Sequence, residues 1–213
     1  IQQRDAGGFD GQYMLTYLAD GRIGFVVYGG GYQFNMSSPN SVNDGQWHHI
    51  AAVRQNGTNG VIYIDGTAVA TATSSTIAPL LPTLATYIGS DQRDHNNFFS
   101  GALSDVATYP YALSASRITL HAYNGLLGNS GFSVGVVPGG FIADTKPVGT
   151  LHPGLNTKST WLASSTDTGG GTTTRTGVEA FAGNGQIVIP ADADFNSSTG
   201  TILFWLRASA PIP

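Results

Sequence analysis

A chain of 213 residues with 29 glycines and charged side chains at only 10% has the length of one large all-β sandwich or of two small domains, enough for a real core, and its composition suits short strands and turns better than helices. Lys and Arg number 9 against 13 Asp and Glu, a formal net charge of -4, which leaves no basic stripe for phosphates or an anionic bilayer, so neither nucleic acid nor a membrane is an expected partner. Cysteine is absent, which removes disulfides and thiolate metal sites, and no apolar run reaches the ~20 residues of a membrane-spanning helix.

Period-two alternation begins with Tyr13, Leu15 and Tyr17 on one face, and an Asp20-Gly21 turn sends the chain back through Ile23, Phe25 and Val27. Residues 47–54 form the next strand, and a second hairpin pairs 61–64 with 67–73 around Asp65-Gly66. Asp-Gly favours the type I′ turn, whose twist matches the flanking strands, so both turns are expected to be of that type. One helix is predicted, over residues 115–123, with Ser114 as N-cap, Ile118 and Ala122 four apart, and Gly125 as the stop. Residues 126–140 read as a glycine-rich connector, and residues 164–176, with three consecutive glycines among threonines, read as a loop. Strands resume at 178–181, 186–189 and 201–207. In the last of these Ile202, Phe204 and Leu206 alternate with Leu203 and Trp205, apolar on both faces, so it is expected at the centre of a sheet. The sequons at Asn35, Asn56 and Asn196 are what chance gives in a Ser/Thr-rich chain, and the missing signal peptide fits a mature or partial chain.

The motifs Asn43-Asp44-Gly45-Gln46-Trp47-His48-His49-Ile50, Tyr63-Ile64-Asp65-Gly66, Gly101-Ala102-Leu103-Ser104-Asp105-Val106 and Tyr111-Ala112-Leu113-Ser114 resemble the later part of a laminin-G-like domain of the concanavalin A-like lectin/glucanase superfamily, in its bacterial, pentraxin-like branch. Gly177-Val178-Glu179-Ala180-Phe181, Gln186-Ile187-Val188-Ile189-Pro190 and Gly200-Thr201-Ile202-Leu203-Phe204-Trp205-Leu206-Arg207 resemble the beginning of such a domain. The halves therefore stand in reversed order: residues 1–125 supply the C-terminal two-thirds, 126–140 connect, and 141–213 supply the N-terminal third. The resemblance implies an all-β fold, a two-sheet antiparallel jelly-roll sandwich with one short helix. Residues 1–125 alone would expose core and strand edges, so strands from 141–213 complete the sandwich, within the same chain or that of a neighbour. A permutant, a swapped chain and a window from a tandem array all remain open, with a window or an assembly repeat favoured. In a self-contained domain Leu203 and Trp205 are expected to contact the chain's own 15–27 hairpin.

Retaining glucanases of the superfamily set two glutamates at i and i+4 on one strand, because the mechanism needs two carboxyls ~5–5.5 Å apart. This chain has one glutamate, Glu179, and no aspartate pair at strand spacing; Asp192 and Asp194 flank a turn. A non-catalytic module is expected, with a glycoside hydrolase as the lesser alternative. His48 and His49 are adjacent on a strand and point to opposite faces, so they pack within the sandwich and share no metal. No nucleophile elbow, phosphate loop or zinc spacing is present. The polar run Asp91, Gln92, Arg93, Asp94, His95, Asn96, Asn97 falls on a loop; a solvated turn is the plain reading, and binding of sugar hydroxyls by Asp91, Arg93, Asp94, Asn96 and Asn97 the functional one. Tyr28 and Tyr32, flanking Gly29-Gly30-Gly31, offer stacking faces to a sugar, or else belong to the core or rim. Asp105 and Asp144 match the acidic positions of a structural Ca²⁺ site that the resemblance implies, although Val106 and Thr145-Lys146-Pro147 depart from its usual neighbours. The function expected is an extracellular or cell-surface, lectin-like module for glycans or surface polysaccharide. The alternative is a structural repeat or assembly subunit that self-associates by strand exchange.

Overall fold

The alternation seen in the sequence resolves into two antiparallel sheets packed face to face. The computed structural model describes residues 1–3, 12–29, 32–75, 86–90, 97–109, 111–126, 136–137, 140–141, 160–166, 174–182, 187–189 and 199–208. Its elements are β1 (Gln2–Gln3), β2 (Gln12–Tyr17), β3 (Ile23–Tyr28), β4 (Tyr32–Ser37), β5 (His48–Gln55), β6 (Asn59–Ile64), β7 (Thr67–Thr73), β8 (Thr86–Ile88), β9 (Ser100–Tyr109), α1 (Ala115–Leu126), β10 (Val136–Val137), β11 (Gly140–Phe141), β12 (Thr160–Thr166), β13 (Thr174–Ala182), β14 (Ile187–Ile189) and β15 (Gly200–Ala208). The first sheet runs β14-β8-β1-β2-β3-β4 and the second β12-β13-β9-β15-β5-β6-β7, while β10 and β11 pair only with each other.

Between the sheets, Tyr13, Leu15, Ile23, Phe25, Val27 and Phe34 from the first meet Ile50, Ala52, Ile62, Leu103, Val106, Phe204 and Leu206 from the second. Alternate residues of the second sheet, Ala51, Val53, Val61, Tyr63, Ala107 and Leu203, face outward and are covered by Leu113 and by Ile118 of α1. The second sheet is therefore buried on both faces at its centre, and β15 lies there, between β5 and β9. Its parity differs from expectation: Ile202, Phe204 and Leu206 face the β2–β3 hairpin, whereas Leu203 packs under α1 and Trp205 clusters with Trp47 and Ala102. A strand apolar on both faces does not disclose which face is which, because a one-residue slip exchanges them.

The two Asp-Gly turns diverge. Asp65 and Gly66 both take positive φ, 51° and 79°, and join Ile64 directly to Thr67 as a type I′ turn does. At Asp20-Gly21 only Gly21 is positive, at 81°; its N–H donates to the Leu18 carbonyl at 2.9 Å and Leu18 N–H donates to the Arg22 carbonyl at 2.8 Å. This loop is a type I turn closed by a left-handed glycine, with the Asp20 carboxylate accepting from Arg22 N–H at 3.1 Å and Arg22 Nε at 2.6 Å.

Ser114 caps α1, its Oγ accepting from Arg117 N–H at 3.4 Å. The helix then passes through Gly125 to Leu126 instead of stopping there. Burial of Ile118 and Ala122 against the second sheet outweighs the ~1 kcal/mol that a helical glycine costs. Residues 164–166 and 174–176, expected as loop, pair as the ends of a β12–β13 hairpin, because threonine on both sides is a strong strand former. Among the described residues no helix is long and apolar enough to cross a membrane.

Candidate functional site

Strand direction sorts the polar residues onto two ends. β2 leads into the Asp20-Gly21 turn and β6 into the Asp65-Gly66 turn, at the end where β5 begins, since Asp65 N–H donates to the His49 carbonyl at 2.8 Å. Residues 97–99 belong to this end as well: Phe99 N–H donates to the Gly89 carbonyl at 2.8 Å, and the Phe99 ring meets Tyr17 edge-on at 5.8 Å.

Here His48 sits between two carboxylates, Nδ1 at 2.8 Å from Asp65 Oδ2 and Nε2 at 3.0 Å from Asp44 Oδ1. Asp65 Oδ1 also accepts from His49 N–H at 2.9 Å. Burial alone would lower the imidazole pKa, but the hydrogen bonds and charges of Asp65 and then Asp44 outweigh it and raise it to about 9. At neutral pH His48 is therefore an imidazolium donating to both aspartates, a clamp between the loop before β5 and the β6–β7 turn. It has no lone pair left for a metal, and among the described residues no group of three or more His, Asp or Glu side chains is placed to hold one. His49 points the other way, fully buried, its ring edge-on to Trp205 at 5.4 Å.

At the opposite end, β3 and β4 carry a bulge: Val27 pairs with Phe34 and Tyr28 with Tyr32, so Gln33 is the extra residue. The bulge turns Gln33 toward the other sheet, where its Nε2 donates to the Gly57 carbonyl at 2.6 Å and its Oε1 accepts from Arg54 Nη2 at 2.7 Å. Arg54 is buried, which lowers its pKa. Gly57 stands in a tight turn in which Asn56 and Gly57 take φ of 50° and 71°, with Thr58 N–H donating to the Gln55 carbonyl at 3.1 Å. No turn was expected here, although an Asn-Gly dipeptide such as Asn56-Gly57 favours one. One residue before Gln33, Tyr32 meets Tyr28 edge to face, centroids 5.0 Å apart at 89°, and is 65% exposed.

The structure thus brings Tyr28 and Tyr32 together and sets Asn97, exposed with φ 55°, at the other end of the sandwich. Asp91, Arg93, Asp94, Asn96 and Asp144 lie outside the described residues. Asp105 lies within β9 at a second bulge, where Leu203 pairs with Ala107 but Trp205 with Ser104. Its φ of 54° is one that Asp tolerates better than most residues, and the extra residue turns both Leu103 and Val106 into the intersheet core. Ser104 Oγ donates to Asp105 Oδ2 at 2.7 Å. Calcium takes six to eight oxygens, so this single carboxylate is not by itself a calcium site. Glu179 on β13 pairs with Leu103 and Trp161. The positions four away, Arg175 and Gly183, hold no carboxylate, so the glucanase pair is not on this strand.

Comparison with curated proteins and with solved structures gives no match. A laminin G family model described as concanavalin A-like lectin/glucanases superfamily matches residues 2–119, a span covering β1 to β9 and the first turn of α1. With more than half its length matched and two antiparallel sheets packed around one intersheet core, the chain belongs to the concanavalin A-like lectin/glucanase superfamily.

Proposed function

We propose that the chain is a non-catalytic, extracellular lectin-like module that binds glycans or cell-surface polysaccharide, with Tyr32 as its stacking face. The observation that carries this reading is the exposed Tyr32 ring on a strand, backed edge-on by Tyr28; a flat apolar face with a hydroxyl tip offers a sugar ring both contacts it needs. A glycan array followed by calorimetric titration tests it. Tyr32→Ala is expected to weaken the selected sugar about tenfold, the equivalent of ~1.4 kcal/mol, while unchanged affinity removes Tyr32 from the site. The paired replacement of Asp94 and Asn96 by alanine tests the 91–97 loop in the same titration.

A structural Ca²⁺ held by Asp105 and Asp144 is proposed separately, away from the glycan. Saturating calcium at about 100 times its Kd would then stabilise the fold by ~2.7 kcal/mol. That gain should vanish in Asp105→Asn, which keeps a residue tolerant of positive φ. A Tm indifferent to chelator in the parent protein removes the ion.

A second reading, an assembly subunit completed by strand exchange, is favoured by β15, which lies between β5 and β9 at the centre of the second sheet. The contacts it makes serve equally when the strand comes from a neighbour.

A further inference from the structure

The pairing of β7 fixes which of its backbone groups point away from the second sheet. Ser74 N–H donates to the Thr58 carbonyl at 2.8 Å, and β6 and β7 continue in that register from Asn59 opposite Thr73 to Ile62 opposite Ala70. Hydrogen-bonded positions alternate along an antiparallel ladder, so Ala72 bonds to Gly60, while Thr71 and Thr73 turn their N–H and C=O groups away from β6. Past Ala70 the register shifts: Tyr63 pairs with Ala68, which leaves Val69 as a bulge. The bulge bends the first half of this edge, but residues 70–74 run regularly. Their side chains divide by face, Ala70 and Ala72 packing against the intersheet core and Thr71 and Thr73 exposed. Among the described residues β6 is the one strand paired with β7.

Edges are commonly guarded by charges or proline, and residues 67–75 contain neither. The segment Ala70-Thr71-Ala72-Thr73-Ser74 also reads nearly alike in both directions. A two-fold axis through Ala72 therefore sets Thr71 against Thr73 of a second copy, Ala72 against Ala72, and Ala70 against Ser74. The outward N–H and C=O groups of the two threonines meet each other in that register, and threonine opposite threonine is a favourable cross-strand pair. We propose that the 70–74 edge of β7 pairs antiparallel with the same edge of a second copy, about Ala72, and carries the second sheet across a dimer. A two-fold contact uses one patch on both copies and closes on itself, so assembly stops at two. Neither copy gives up a strand, in contrast to an exchange of β15. The shared edge is short, which makes the dimer weak and dependent on concentration.

Sedimentation velocity over a dilution series of the full chain, with amide hydrogen exchange at both ends of the series, tests the proposal. The parent is expected to pass from folded monomer to dimer. Its Thr71 and Thr73 amides exchange fast in the monomer and slowly in the dimer, while the Ala72 amide is protected in both. Thr71→Lys with Thr73→Lys sets like charges against each other across the axis and is expected to weaken dimerisation about tenfold. Thr71→Lys with Thr73→Glu sets opposite charges there and is expected to restore it; circular dichroism checks that the monomers of both variants are folded. A parent that stays monomeric throughout, or a dimer indifferent to the two lysines, overturns the proposal. So does a chain that unfolds as it dissociates, which points to exchange of β15 instead. Slow exchange of the Thr71 and Thr73 amides in the dilute monomer shows that the chain covers its own edge and overturns it as well. Failure of the lysine and glutamate pair to restore the dimer overturns the pairing about Ala72.

Discussion

Replacing Leu203 by aspartate is expected to abolish the cooperative fold, and deleting residues 199–208 to do the same. Leu203 is fully buried beneath α1, among Ala51, Ala107 and Ile118. A charge there meets no partner, at a penalty of several kcal/mol against a typical total stability of about 5–15 kcal/mol. Leu203→Ala, which leaves only a cavity, is expected to cost about 3 kcal/mol. Deletion acts differently: it removes the strand to which β5 is bonded from Gly200 to Leu206 and β9 from Thr201 to Ala208, and leaves two long unpaired edges that promote association. Circular dichroism with light scattering reads both outcomes; a folded, monodisperse deletion variant would show that β15 is dispensable. Dilution of the parent chain separates the two sources of the strand. A monomer that stays folded takes β15 from itself, and one that unfolds on dissociation takes it from a neighbour.

The second large effect belongs to His48. Its folded pKa of about 9 lies above the ordinary 6.5, so the folded chain holds the proton more tightly. The stability this contributes is fully present below pH 6.5 and is lost as pH rises through 9. The shift converts to about 2 kcal/mol once solvent screening at the half-exposed Asp44 and Asp65 is allowed for. Denaturant titrations across this window should show the alkaline decline in the parent chain and none in His48→Ala, which at neutral pH leaves Asp44 and Asp65 repelling each other. A parent stability that is flat from pH 6.5 to 9 would contradict the clamp.

The hairpins were legible because Tyr13, Leu15, Ile23, Phe25 and Val27 alternate cleanly, and the central place of β15 because both its faces are apolar. Its parity was not legible, since nothing in an all-apolar strand marks the side that α1 covers. Asp44 lies four residues before His48 and was in view, but Asp65 reaches His48 only through the β5–β6 pairing. The Tyr28/Tyr32 contact depends on one bulged residue, Gln33, which spacing alone does not reveal. That Asn97 and Tyr32 stand at opposite ends follows from strand direction, and so could not be read from the two being polar or aromatic loop residues.

The most direct test of the glycan site follows backbone amide chemical shifts of the labelled chain while an oligosaccharide selected on the glycan array is titrated in. The predicted result is a saturable change at Tyr28, Tyr32 and Gln33, with amides near His48 and Asn97 unmoved. Changes confined to Asn97 and its neighbours, or none with any sugar, would contradict it.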